Sequence, residues 1–157
     1  MSALENSPRI TPFLWFGSNA EEAVDFYLSV FKNSRRLSEL RSSADTPSGP
    51  KGSILTVSFE LDGQKFTALN GGPHYKFTEA ISFVVRCDSQ QEVDCYWEKL
   101  TAGGAEIQCG WLKDKFGLSW QVVPARLGEL IKNPKALQAM MKMKKLDIGE
   151  LERAAQD

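Results

Sequence analysis

Few residues in this 157-residue chain are of types that do chemistry, and they are scattered. The single histidine, His74, stands five positions before Glu79. An imidazole and a carboxylate together can ligate a metal or pass a proton; the plainer expectation is a loop histidine at the surface or on a pocket rim. The three cysteines, Cys87, Cys95 and Cys109, form no CxxC pair and no zinc-ligand spacing. Cys109 precedes Gly110 and Trp111. A thiol there would be a nucleophile if its pKa were depressed. No histidine stands near it in sequence, and a small residue packed under Trp111 is the simpler expectation. Cys95, on an amphipathic helix, is expected in the core, and Cys87 at a strand end fits either setting. Asn70-Gly71-Gly72-Pro73 has the glycines of a phosphate loop but lacks the following Gly-Lys-Ser/Thr and opens no helix. It reads as a tight turn. Lys113-Asp114-Lys115 reads as a solvated hairpin turn, and Met140, Met141 and Met143 as a packing surface or subunit contact.

The elements that must position these residues follow from periodicity. Arg9 to Phe16 is rich in aromatic and branched residues and reads as a strand. Ser18-Asn19 then caps a helix with Glu21 and Glu22 in its first turn, where the helix dipole favours carboxylates. Its apolar residues, from Ala23 to Phe31, recur at three and four. A strand over 35–42, a flexible loop from Ala44 to Gly52 and a cleanly alternating strand from Ile54 to Leu61 come next. Asp62-Gly63 is a hairpin turn leading into Gln64 to Leu69. The pattern then restarts. Glu79 to Cys87 reads as a strand, Asp88 or Ser89 caps a helix through Leu100, and Gly103-Gly104 closes it. Short strands over Ala105 to Cys109, Trp111 to Phe116 and Leu118 to Val123 follow, then short helices after Pro124, one opening at Pro134 and one over Asp147 to Ala155.

The bulk numbers exclude several roles. Apolar residues at 42% and charged residues at 25% are ordinary for a globular protein. A formal net charge of −1 gives no electrostatic case for nucleic acid or an anionic membrane. MSALENSPRI lacks the features of a secretory leader, and no apolar run approaches the length of a membrane span. An odd cysteine count without a leader points to reduced thiols and a cytoplasmic location.

The restart is an internal repeat. Shifted by 69 residues, Val24-Asp25-Phe26-Tyr27 lies over Val93-Asp94-Cys95-Tyr96, and Pro12 to Phe16 over Ile81 to Val85. At the far end of each half a glycine precedes an aromatic by three residues, Gly63 with Phe66 and Gly117 with Trp120. The chain is therefore expected to be one α+β domain. Two βαβββ modules, roughly 9–72 and 79–124, would form a curved mixed sheet with helices outside, and a helical tail spans 125–157. One helix covers one sheet face in each module, which leaves the other face to line a cavity.

This order, with ITPFLWF, NAEEAVDFY, ALNGGPHYKFTEAISF, CGWLKDKFGLSWQVVP and MMKMKKLDI, resembles the PhnB-like family of the vicinal oxygen chelate superfamily (glyoxalase, bleomycin-resistance and extradiol-dioxygenase proteins). Members of that family often carry the name 3-demethylubiquinone-9 3-methyltransferase. The resemblance implies a cavity, a homodimer with swapped or intrachain module pairing, and, in the superfamily's enzymes, a divalent metal held by four inward His, Gln or Glu side chains. Carried across, those four positions fall on Pro12, Thr67, Ile81 and Gln121. No metal and no cofactor are expected, because only Gln121 among the four has a superfamily ligand type and it is neutral; a non-standard site using His74 with Glu79 is the alternative. The residues expected to meet a small-molecule ligand are Thr67, Asn70, His74, Cys109, Trp111 and Gln121. Trp120, of opposite parity to Gln121, should face the helices. The first strand ends in Phe16-Gly17-Ser18-Asn19, without the glycine-rich turn of an S-adenosylmethionine site. The leading expectation is a metal-free small-molecule-binding protein. The alternatives are an enzyme of the superfamily, whether a metal-dependent lyase, a dioxygenase-like protein or the methyltransferase of the family name, and a homodimeric interaction module.

Overall fold

The computed structural model describes residues 4–157; the first three residues of the N-terminal stretch read above lie outside the described residues. The chain divides into two compact units, the first ending at Lys76 and the second spanning Phe77–Asp157.

The first unit runs β1 (Phe13–Phe16), α1 (Ala20–Val30), β2 (Ser34–Arg41), β3 (Ile54–Leu61) and β4 (Gln64–Asn70). Its sheet has the order β1-β4-β3-β2, with β1 parallel to β4 and the other neighbours antiparallel. The strand expected from Arg9 begins only at Phe13, because Pro12 has no N–H to give a ladder. Asp62 (φ 48°) and Gly63 (φ 86°) both take the left-handed conformation that a two-residue hairpin demands. Alternation then separates the two faces. Leu14, Phe16, Val57, Phe59, Leu61, Phe66 and Ala68 are buried together with Ala23, Val24, Tyr27 and Val30 of α1. Tyr27 stacks on Phe59 at 6.3 Å and Phe59 on Phe66 at 5.3 Å. The other face carries Phe13, Trp15, Thr67 and Ser58, joined through the register Phe13–Thr67 and Ser58–Thr67.

The second unit repeats the plan as β5 (Ser82–Cys87), α2 (Gln90–Thr101), β6 (Ala105–Glu106), β7 (Trp111–Lys113) and β8 (Ser119–Pro124), in the sheet order β5-β8-β7-β6. Three short helices follow: α3 (Leu127–Leu130), α4 (Pro134–Met141) and α5 (Ile148–Gln156). Ser89 Oγ caps α2 by accepting from Glu92 N, and Glu92 returns a carboxylate oxygen to Asp88 N. Asn133 and Asp147 cap α4 and α5 in the same manner. The methionine cluster divides: Met143 is buried with Leu130, Leu146 and Leu151, Met140 packs against them, and Met141 is exposed.

Hydrogen bonds and burial give a different repeat shift from residue identity. Gly71 N donates to Phe16 O, and Ala125 N to Cys87 O, so Cys87 takes the place of Phe16, a shift of 71 in the strands rather than 69. On the helices the buried Trp97 and Leu100 take the places of Tyr27 and Val30, a shift of 70. Identity misled because Val-Asp-x-Tyr recurs one residue out of structural phase. Cys95 consequently occupies the exposed position of Asp25, not the core position expected for it.

The 113–115 turn also departs from expectation. Asp114 is buried at 3% exposure. Its Oδ1 accepts from Phe116 N at 2.8 Å and Leu118 N at 3.1 Å, and its Oδ2 from Trp120 Nε1 at 2.9 Å. This carboxylate organises the β7–β8 connection and fixes the indole of Trp120 on the helix-facing side. Asp114→Ala would strand these buried donors, at about 2–4 kcal/mol. The expected result in a urea titration is a lower midpoint with an unchanged slope; an unchanged midpoint would refute the assigned role.

Candidate functional site

In each unit the sheet face turned away from the helix carries the candidate residues. In the first, Thr67 is buried, with Oγ1 3.4 Å from Ser58 Oγ, and it stands beside Phe13. Phe13 is 55% exposed. In the second, Gln121 lies between Val84 and Trp111 in register. Its amide Nε2 donates to Ser82 Oγ at 2.9 Å, which fixes the side chain and leaves its other end without an intrachain hydrogen bond among the described residues. Trp111 is half-buried, and its indole N–H has no intrachain acceptor among those residues. Leu112 and Trp120 point to the other side and are buried, in line with the expected parity. Two residues before Gln121 on the same strand, Ser119 sits between Ser82 and Lys113. Ser119 is fully buried, and its Oγ has no hydrogen-bond partner among the described residues. A buried hydroxyl left in this state is a cost that folding ordinarily avoids.

The loop after β4 has an internal task. Asn70 Oδ1 accepts from Ala20 N at 2.9 Å and Asn70 Nδ2 donates to Ile54 O at 3.0 Å. Asn70 thus caps α1 from across the sheet. Asn19, expected to be the cap, makes no side-chain cap bond. Gly71 lies against Trp15 so closely that an added Cβ would stand 2.4 Å from the indole. Trp15 Nε1 donates to Gly72 O at 3.0 Å, and Tyr75 meets its ring edge-on at 4.8 Å. Gly71 therefore makes room for a tryptophan, and Gly72 takes a left-handed φ of 92°. His74 lies exposed in the same loop.

The remaining candidates divide clearly. Glu79 is bound by Lys113, whose ammonium lowers its pKa. Cys87 is buried, and desolvation, reinforced by Glu92 and Asp88, pushes its thiol up to about 12. It is held as a neutral thiol across the physiological range. Cys109 is half-buried in a left-handed conformation at φ 62°. Lys145 and Gln90 both donate to Asp94 and lower its pKa, tying α2 to the tail. Sequence reasoning did not single out Ser119, Ser82 or Phe13; the shift of 71 is the signal that brings Phe13 and Val84 to equivalent places beside Thr67 and Gln121.

Residues 8–123 match the family described as 3-demethylubiquinone-9 3-methyltransferase. The chain belongs to that family. A PhnB protein from Bacillus cereus, itself described as a 3-demethylubiquinone-9 3-methyltransferase, is similar at 35% identity over 75% of this chain and 100% of its own, with a TM-score of 0.67. A Pseudomonas aeruginosa protein is 23% identical over 75% of this chain and 98% of its own, with a TM-score of 0.61. The fosfomycin resistance protein FosX from Listeria monocytogenes, in complex with Mn(II) and sulfate, shares the fold at 18% identity, covering 80% of this chain and 96% of its own, with a TM-score of 0.54. No curated protein matches the chain. The family lies in the vicinal oxygen chelate superfamily, of the glyoxalase and bleomycin-resistance fold, and the two mixed sheets with outer helices agree with it. No helix among the described residues is long and apolar enough to cross a membrane.

The residues present do not fit the metal that this superfamily implies. Pro12 and Ile81 offer no donor atom, and neither do Phe13 and Val84, which the sheet registers place beside Thr67 and Gln121. Thr67 and Gln121 are neutral, so together they supply only a hydroxyl and an uncharged amide oxygen. Among the described residues, no three His, Cys, Asp or Glu side chains converge as a metal would require.

Two outcomes are expected. Asn70→Ala removes two buried hydrogen bonds and should destabilise the fold by about 2 kcal/mol, read by urea unfolding. In a timed reaction with a thiol reagent at pH 8, followed by peptide mass spectrometry, exposed Cys95 should label first and Cys87 only on unfolding. Rapid native labelling of Cys87 would contradict its burial.

Proposed function

We propose that this chain is a small-molecule-binding protein of the glyoxalase and bleomycin-resistance type, and that it holds its ligand without a metal. The observation that carries this reading is the face of the second sheet. There Trp111 and Gln121 lie directly opposite one another, the amide is fixed at one end by Ser82, and its other end and the indole N–H are without intrachain partners. Val84, 59% exposed, flanks them with apolar surface. A flat apolar body with one polar edge is the ligand such a face suits, because hydrogen bonds fix orientation while apolar burial supplies most of the affinity. Thr67 on the first sheet offers the same neutral chemistry. The exposed apolar side chains of Phe13, Ile81 and Val84 favour a homodimer as the working form, and three free cysteines favour a reducing, cytoplasmic setting.

The family description favours a second reading, methyl transfer to 3-demethylubiquinone. Against it, the connection from β1 to α1 offers Gly17 alone as glycine, and β1 pairs in parallel only with β4.

The readings separate in solution. Protein purified without a metal-affinity tag should contain less than roughly a tenth of an equivalent of transition metal and show no thermal shift with Ni, Zn, Mn or Fe. In a thermal-shift screen of planar, neutral aromatic compounds, a hit should lose about tenfold or more in affinity with Trp111→Ala, equivalent to about 1.4 kcal/mol. A stoichiometric metal that raises the melting temperature would overturn the metal-free reading. A calorimetric binding heat with submillimolar S-adenosylmethionine would favour methyl transfer.

A further inference from the structure

We infer that the C-terminal tail clamps the turn that ends in Trp111, and that Gln90 positions Trp111 by holding the tail in place. The inference rests on the reading of Trp111 as a ligand contact, but its test needs no ligand.

The turn is Gln108–Trp111, closed by Trp111 N donating to Gln108 O at 3.1 Å. Its two central residues are both left-handed, Cys109 at φ 62° and Gly110 at φ 82°. Glycine, asparagine and aspartate are at ease at such positions, whereas a cysteine with an ordinary Cβ is not. Nothing within the hairpin accepts the two central N–H groups. The tail does so: Cys109 N donates to Met143 O and Gly110 N to Lys144 O, both at 2.8 Å. Leu146, fully buried, closes over Gly110, where a Cβ would lie 3.0 Å from its side chain.

The tail is held in turn by one residue of α2. Gln90 Nε2 donates to Leu146 O at 3.0 Å, and Gln90 Oε1 accepts from Ile148 N at 2.8 Å. Asp94, one turn on, accepts from Gln90 Nε2 at 2.9 Å and pairs with Lys145 Nζ at 2.8 Å. All of these contacts fall on residues 143–148, the segment whose carbonyls fix the turn. Trp111 is the last residue of the turn, so its backbone is set by the same bonds, and Val122 N, one residue beyond Gln121, donates to Gly110 O at 2.8 Å. The clamping segment lies outside the residues matched by the family, 8–123.

The test uses the full chain with 5-fluorotryptophan, its four resonances assigned by single Trp→Phe substitutions, together with amide hydrogen exchange. Gln90→Leu keeps the bulk of the side chain and removes its hydrogen bonds. The expected result is at least about tenfold faster exchange at Cys109 and Gly110, accompanied by a shifted or broadened Trp111 resonance while Trp15 is unchanged. Retained protection at 109 and 110 overturns the inference, as does lost protection with the Trp111 resonance in place. If Gln90→Leu does not fold, a temperature series on the unsubstituted chain below its unfolding transition decides the matter. There Cys109, Gly110 and Leu151 should exchange with one common opening while Trp111 responds with them; exchange of Leu151 with 109 and 110 still protected overturns the inference. A chain that binds no small molecule can still pass this test, so the two readings fail separately.

Discussion

Each unit depends on the parallel pairing of its first strand with its last. A parallel pair requires the intervening chain to cross over, and here the crossover includes the helix that covers one face. The pairing fixes which side chains face that helix, because side chains alternate and a slip of one residue would turn the buried set outward. Phe16 with Asn70 and Cys87 with Pro124 mark the ends of the two parallel ladders. The location of Thr67 and Gln121 on the opposite face follows from that constraint.

The same architecture is secured by different chemistry in the two units. In the first, Asn70 reaches from β4 to cap α1. In the second, the equivalent position is Pro124, and Ser89 caps α2 locally. In the first, β2 and β3 are joined by a long loop; in the second, β6 and β7 are joined by a tight turn that a distant segment completes. Where the first unit uses Asp62-Gly63 at its last hairpin, the second uses the buried carboxylate of Asp114. A duplicated fold therefore keeps its hydrogen-bond topology while exchanging the residues that terminate its elements.

Much of this was legible in the chain. Alternation in Ile54–Leu61, the Asp62-Gly63 turn, the helix periodicities and the cap at Ser89 are local signals, and each led to the observed element. The failures were non-local. Nothing near Asn19 reveals that Asn70 supplies the cap, and nothing in Lys113-Asp114-Lys115 reveals that Trp120 and two amides converge on the carboxylate. The repeat was visible but out of phase, because identical residues in an amphipathic helix can recur on different faces. Cys95 lies on an amphipathic helix, but on its exposed face. At the candidate site, parity sufficed to put Gln121 and Trp120 on opposite faces, whereas the register of Trp111 with Gln121, the unpartnered hydroxyl of Ser119 among the described residues and the contact between Gly71 and Trp15 required coordinates.

Family membership and a metal site are specified by different residues, for a physical reason. A scaffold is specified by its buried apolar pattern and by its turns, and those persist here. A metal site depends on a few donor atoms whose replacement leaves the packing intact. Threonine and glutamine at two of the four positions can be accommodated by bonding to neighbouring serines within the sheet. A face lined by neutral polar groups also selects a ligand differently from a charged one. A charged pocket attracts anything of opposite sign, whereas neutral donors and acceptors discriminate through the cost of leaving one another unpaired. That cost depends on geometry, and a face of this kind needs its aromatic wall held in position. The tail braced against residues 109 and 110 meets that need on the strand that carries Trp111.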